Sequence, residues 1–354
     1  MKKVYINSAC SISPQNTSDN SGFPDAIIDH ENMVLPAQSP NYRDYIAPAA
    51  ARRMAKGIKM GIMASKIALR EAGIEQVDAI ITGTGLGCVR DSEKFVQAII
   101  DNEEQYLTPT SFIQSTHNTV GGQIALEIQC KGYNFTYVHS SVSFESALID
   151  AQLQLENEEA RNILVGGVDE LGDHTVAIHQ AIGHVKKKKV RVSQLLGSGT
   201  PGAVFGEGAV FFVLSSEKHN RTYAQLISVK TFNTLPREKV TEAALRFLEE
   251  NNTDISDTDL LILGNNGDTD YDLYFDELAS GPFRNTAQAF YKHLSGEYHT
   301  ASAFGTWLAA QILKTQILPE AVQLNNKTAN KYDTVLLYNQ YRGENHSFIL
   351  LKRC

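Results

Sequence analysis

His139, Ser140 and Ser141 fall in a row where an apolar stretch gives way to a helical one. A serine attacks a carbonyl only when a general base takes its proton, so an imidazole beside hydroxyls raises a dyad as one reading. Ser141 lies at the end of the turn, where the helix begins. His139, two residues earlier, points to the same side of an extended chain, but a base so near in sequence rarely aligns on its own nucleophile. The plainer reading of Ser141 is a small polar residue hydrogen-bonding at a helix N-terminus. Gly83-Thr84-Gly85-Leu86-Gly87 has the glycine content of a phosphate loop but neither its Lys-Ser/Thr ending nor the later acidic partner, and reads as a turn leaving a buried strand. His117 has no acidic or nucleophilic partner at a meaningful spacing and suits a structural or interface role. Gly197-Ser198-Gly199 lacks the glycine spacing of a hydrolase elbow. Lys186 to Lys189 reads as a solvated face, with docking of an acidic partner as the functional alternative. Cys10, Cys88, Cys130 and Cys354 are far apart without metal spacing, so no metal is expected and reduced, cytoplasmic thiols are.

The elements that must position the turn are legible around it. Phe135 to Val138 reads as a strand and Val142 to Leu155 as a helix, with Phe144, Ala147, Leu148, Ala151 and Leu155 at helical spacing. Asn162 to Val165 is a second strand, ending in Gly166-Gly167-Val168-Asp169. Strand, sharp turn, helix and strand make a βαβ unit whose turn faces a helix dipole. Upstream, Lys3 to Ser11 is strand-like, residues 15 to 48 a polar excursion, Ala49 to Glu71 an amphipathic helix, and Val77 to Thr82 a strand. Downstream, Val210 to Leu214, Tyr223 to Lys230, Leu260 to Leu263, Val335 to Tyr338 and Ser347 to Leu351 read as strands. Glu238 to Asn251, Phe283 to Leu294 and Ala301 to Ile317 read as helices.

The bulk numbers set limits. With 354 residues, 42% of them apolar, the chain can build a large core or two fused subdomains. A net charge of −8 argues against a nucleic-acid-binding body. No apolar run approaches the roughly 20 residues of a membrane span. The start, MKKVYINSACSIS, has too short an apolar stretch for a secretion signal and reads as the first strand.

The segment from Gly132 to Ala147, the Gly166-Gly167-Val168-Asp169 strand end, the helix RRMAKGIKMGIMASKIALREAGI, the PTSFIQSTHN segment and the strand GEGAVFFVL together resemble the β-ketoacyl synthases, condensing enzymes of the thiolase-like superfamily. The resemblance covers nearly the whole chain. It implies a five-layer αβαβα sandwich of two fused βα repeats, placed at residues 1–217 and 218–354, and no cofactor. Family members carry a nucleophilic Cys at the turn, two histidines in His-Gly-Thr and Gly-His-Leu-x-Gly motifs, and a Lys five residues before the second His.

Carried over position by position, that pattern puts Ser141 at the Cys, Asn266 at the first His, Ser302 at the second His and Glu297 at the Lys. His299, three residues from Ser302, is an alternative occupant. His117 falls in the interface and pocket-lining segment, Asn339 replaces a pocket-gating Phe, and Tyr341 to Asn345 replaces a glycine-rich loop, keeping Gly343. The resemblance then implies a chain-length-factor-type subunit that pairs with an active synthase and meets an acyl carrier protein. Alternatives are a condensing, acyl-transferring or decarboxylating enzyme using Ser141, His139 and Asn266, and a homodimeric acyl-binding scaffold.

Overall fold

The computed structural model describes residues 2–354. Ten strands join in one sheet: β1 (Val4–Ile12), β2 (Ala79–Gly83), β3 (Tyr133–Tyr137), β4 (Asn162–Asp169), β5 (Gly208–Ser215), β6 (Ala224–Asn233), β7 (Leu260–Leu263), β8 (Ala287–Phe290), β9 (Thr334–Tyr341) and β10 (Asn345–Lys352). Their order across the sheet is β8-β7-β9-β10-β6-β1-β5-β4-β2-β3. Read inward from either edge, each half places its own strands in the order third, second, fourth, fifth, first. The sense of pairing repeats as well: β2 lies parallel to β3 and β4 as β7 does to β8 and β9, while β5 and β10 run antiparallel to their neighbours. Two halves without visible sequence repetition therefore share one topology. They meet where β1 pairs with β6 over Val4 to Ile6.

Helices fill the layers between and outside these half-sheets. α1 (Lys56–Ala72) and α4 (Thr119–Ile128) cover the first half through Ile58, Ile62 and Ile124, against Phe211 and Val213 of β5. α5 (Ser143–Glu156) and α9 (Ser302–Thr315) lie between the halves, where Phe144, Leu148, Phe304 and Trp307 pack on strands of both. α7 (Val240–Glu250) and α8 (Leu273–Ala279) cover the second half. The result is the five-layer thiolase-like sandwich. α2 (Val89–Asp101), α3 (Pro109–Ser115) and α6 (Asp173–Ala181) flank the first half.

Two expected elements differ. The helix from Ala49 to Glu71 breaks at Arg52 to Ala55, where the Gln114 side chain accepts from the Ala55 amide and donates to the Arg53 carbonyl, ending one helix and starting the next. The helix expected over Phe283 to Leu294 is the strand β8 followed by the short turn Lys292–Ser295. Helical spacing of Phe283, Ala287 and Phe290 yields there to parallel pairing with β7, which gives the second half its third strand. No helix among the described residues is long and apolar enough to cross a membrane.

That short turn carries His293, whose ring stacks on Phe290 at 4.0 Å and whose Nε2 bonds the Ala321 carbonyl at 2.8 Å. Burial holds His293 neutral, its pKa pushed down to about 4. An unfolded histidine takes a proton below about pH 6.5, so stability declines as pH falls from there towards 4, by up to about 3 kcal/mol. Urea denaturation across that range should show the decline in the native chain and a flatter profile in His293→Gln. Parallel profiles would contradict it.

Candidate functional site

β3 runs into the short helical turn Ser140–Val142 and then α5. The apex is Ser140, with φ +51°, a left-handed conformation that a non-glycine residue rarely adopts without a local reason. That reason is Ser143. Its hydroxyl accepts from the His139 amide at 2.8 Å and donates to the Ser140 carbonyl at 2.6 Å, closing the bend. The Ser140 side chain is exposed, and its Oγ lies 3.3 Å from Nδ1 of His299. Ser141, the expected occupant, is instead 2% exposed with its hydroxyl unpartnered. His139 does not turn towards Ser141 either: its Nδ1 meets Ser146 Oγ at 3.0 Å, along α5. The strain at the apex shifts the outward-facing hydroxyl one residue earlier than expected.

His299 is held from two sides. Its ring lies over Gly85, where any Cβ would come within 2.2 Å, so that position requires glycine. The next residue, Thr300, is fixed by Asp169. Through one oxygen Asp169 accepts from Thr84 Oγ1, the Gly85 amide and the Leu86 amide; through the other it accepts from the Thr300 amide and hydroxyl, all between 2.8 and 3.1 Å. A carboxylate already occupies the amides of the glycine turn, which rules out phosphate binding there. Beside His299 a narrow apolar pocket opens between Leu86, Leu171, Val176, Phe205 and Tyr341. His179 on α6 also lines it, with its Nδ1 3.1 Å from that of His184 and its pKa lowered by burial and by the neighbouring imidazoles.

Behind this pocket lies a buried polar chain. Lys292 Nζ is 2.7 Å from Glu297 Oε2, and both side chains are sealed from solvent. The same oxygen accepts from Asn266 Nδ2 at 2.6 Å, and Asn266 Oδ1 accepts from the Asp268 amide. Asp272 accepts from the Asn266 and Gly267 amides, and burial pushes its pKa up to about 6.

The Beta-ketoacyl synthase, N-terminal domain family matches residues 17–220, more than half of the chain. The chain belongs to the β-ketoacyl synthase family. Solved structures with similar folds include the ishigamide ketosynthase/chain length factor, with TM-score 0.79, 15% identity, and 100% of this chain and 99% of that one covered. A ketosynthase (ApeO) in complex with its chain length factor (ApeC) from Xenorhabdus doucetiae matches with TM-score 0.76, 14% identity, and 100% and 98% covered. A type II acyl-carrier protein in complex with its ketosynthase (AntDE:AntF) matches with TM-score 0.74, 14% identity, and 100% and 99% covered. No curated protein matches by sequence.

Set against the synthase pattern, the structure brings Ser140, His299 and Tyr341 together, with the Asn266–Glu297–Lys292 chain beneath. Ser302, expected at the second imidazole, is instead buried in the first turn of α9 with an unpartnered hydroxyl; His299 faces the turn. Asn339 is buried, accepting from Tyr291 Oη at 3.1 Å rather than facing the pocket. Gly343 forms the β9–β10 turn at φ +69°, where a Cβ would meet Tyr274, and it lines no pocket wall. His117 is exposed, packed over Gly87. Lys187 to Lys189 are exposed, but Lys186 is buried: its ammonium donates to Ser198, Thr200 and the Gly267 carbonyl, tying a loop to the segment that carries Asn266. Among the described residues no thiol lines the cleft. Cys10 and Cys88 belong to the core beneath α1, where burial pushes both thiols up, and Cys130 donates to the Val77 carbonyl. Among the described residues no three His, Cys, Asp or Glu side chains converge to hold a metal.

Removing Lys292 leaves the Glu297 carboxylate buried and unpaired, at a cost of about 3–5 kcal/mol. Lys292→Met should lose that much in chemical denaturation, and Lys292→Met with Glu297→Gln should recover a substantial part of it. Equal losses in the two would show that the ion pair does not hold this region.

Proposed function

We propose that the chain is a chain-length-factor-type subunit of a type II polyketide or aryl-polyene-type pathway, without condensing activity of its own. The observation that carries this reading is what surrounds the turn. Decarboxylative condensation in the family uses a thiolate and two imidazoles. Here a hydroxyl stands at the apex, one imidazole faces it, and at the other expected imidazole position the Asn266 amide is bonded to Glu297. A serine hydroxyl does not supply the thiolate that a low-pKa cysteine would. The scaffold is nonetheless kept, as suits a subunit retained for its shape. We place the division between its two halves at residues 217 and 218, in the connection from β5 to β6.

An open edge supports a partner of the same fold. Among the described residues β3 ends the sheet with no neighbour on its outer side, and Tyr133 and Phe135 on it and Val138 just beyond it are 42 to 46% exposed. Phe112, Ile113 and Leu126 add apolar area on α3 and α4. An unpaired apolar edge strand seeks another chain, and an active synthase would present a matching edge. For an acyl carrier protein, exposed Lys187 to Lys189 and the cleft of Arg52, Arg53, Lys59, Arg90 and Lys94 offer positive surfaces on a chain of net charge −8. On the interface side Gly122 faces open space, whereas a Cβ at Gly121 would press on Asn134 and Thr82.

Coexpressed with a cysteine-bearing synthase, the chain should copurify in equal amounts, and Gly122→Phe should shorten the products of the pair without breaking it. A chain that forms only homodimers, or that condenses malonyl thioester by itself, would refute the proposal.

A further inference from the structure

The dyad at the turn has chemistry that a purely steric subunit does not need. Ser140 is the one non-glycine residue of the β3–α5 turn with a positive φ, and that bend lifts its hydroxyl to the surface of the cleft. Nδ1 of His299 stands 3.3 Å away. The ring is held over Gly85 and beside Tyr341, with ring centroids 5.5 Å apart, on a loop that Asp169 pins through Thr300. Within the turn the Val142 amide donates to the His139 carbonyl at 3.2 Å and the Ser143 amide to the Ser140 carbonyl, which holds the bend in shape. Nucleophile and base are thus set side by side on fixed elements next to the pocket.

We propose that Ser140 and His299 take an acyl group from a thioester as a serine ester and then hydrolyse it. In the first step the Ser140 Oγ–carbon bond forms and the carbon–sulfur bond breaks; His299 takes the hydroxyl proton and passes it to the leaving thiolate. In the second, a water oxygen bonds to the carbonyl carbon as the bond to Oγ breaks, and the water proton returns to Ser140 through His299. No redox partner is needed. Leu86, Leu171, Val176 and Phe205 give the pocket an apolar side that suits an aliphatic acyl group, although Asp169, Glu170 and Glu297 share its lining, and among the described residues no carboxylate bonds the imidazole to raise its basicity. The activity is therefore slow beside that of a triad hydrolase. A subunit with this dyad would release short or stalled acyl groups held in the pocket beside the turn.

This inference rests on reading the cleft as an acyl site. The purified chain, treated with a fluorophosphonate probe and separately with octanoyl N-acetylcysteamine, is read by peptide mass spectrometry. We expect one adduct, on Ser140, from each reagent. Ser140→Ala should abolish it while melting as the native chain does. His299→Gln should slow probe labelling by about 100-fold or more. Ser141→Ala, which alters only a buried hydroxyl, should still label. Absence of a Ser140 adduct in folded native chain, or an undiminished rate in His299→Gln, would overturn the dyad. Pairing with a synthase is scored on another surface: a chain that copurifies yet resists labelling loses the dyad alone, and one that labels yet does not pair loses the partner reading alone.

Discussion

The site depends on where one buried carboxylate sits. Asp169 ends β4, in the first half of the fold, and its two oxygens divide their work: one gathers the turn after β2, the other the loop before α9. Among the described residues no cation balances it at hydrogen-bonding distance, and five neutral donors surround the carboxylate. Those donors come from segments more than 200 residues apart in sequence, on either side of the junction of the halves. Fixing them fixes Gly85 under the His299 ring, and with it the distance from the imidazole to Ser140. The repeated strand order explains why this is possible: each half brings the ends of its parallel strands to the same side of the sandwich, and the two central helices start there.

Within that frame the turn holds a hydroxyl and one imidazole. A thiol ionises near pH 8.5 and lower at a helix N-terminus, whereas a hydroxyl needs its base close by. Ser140 has one base, and the Asn266 amide is occupied by Glu297, itself paired with Lys292. Condensation and ester formation make different demands: the proposed reading gives the first to a partner synthase and leaves this turn a hydroxyl with one imidazole beside it. Cys10 and Cys88, by contrast, are buried in the core beneath α1 as packing residues.

Much of this was legible in the sequence, and the misses have physical causes. The βα spacing around the turn, the Gly166-Gly167-Val168-Asp169 strand end and the closing strands gave the layers, because periodicity and glycine placement are local properties. The identity of the apex residue was not local. Choosing Ser140 over Ser141 depends on a left-handed bend that Ser143 closes from three residues ahead. Choosing His299 over Ser302 depends on Asp169 gripping Thr300, a contact across 131 positions. Lys186 looked like one of four solvated lysines until the fold buried it against Gly267. The Phe283 to Leu294 segment had helical spacing but met an open strand edge, and pairing won over pattern.

The account stands on Ser140, and not its neighbour, facing the cleft with His299 beside it. The direct measurement is to place a thiol at each position in turn, as Ser140→Cys and Ser141→Cys, and follow acyl uptake from a thioester by intact mass. The account predicts rapid acylation of the Ser140→Cys chain and none beyond background for Ser141→Cys. The reverse order of reactivity, in two variants that both fold, would contradict it.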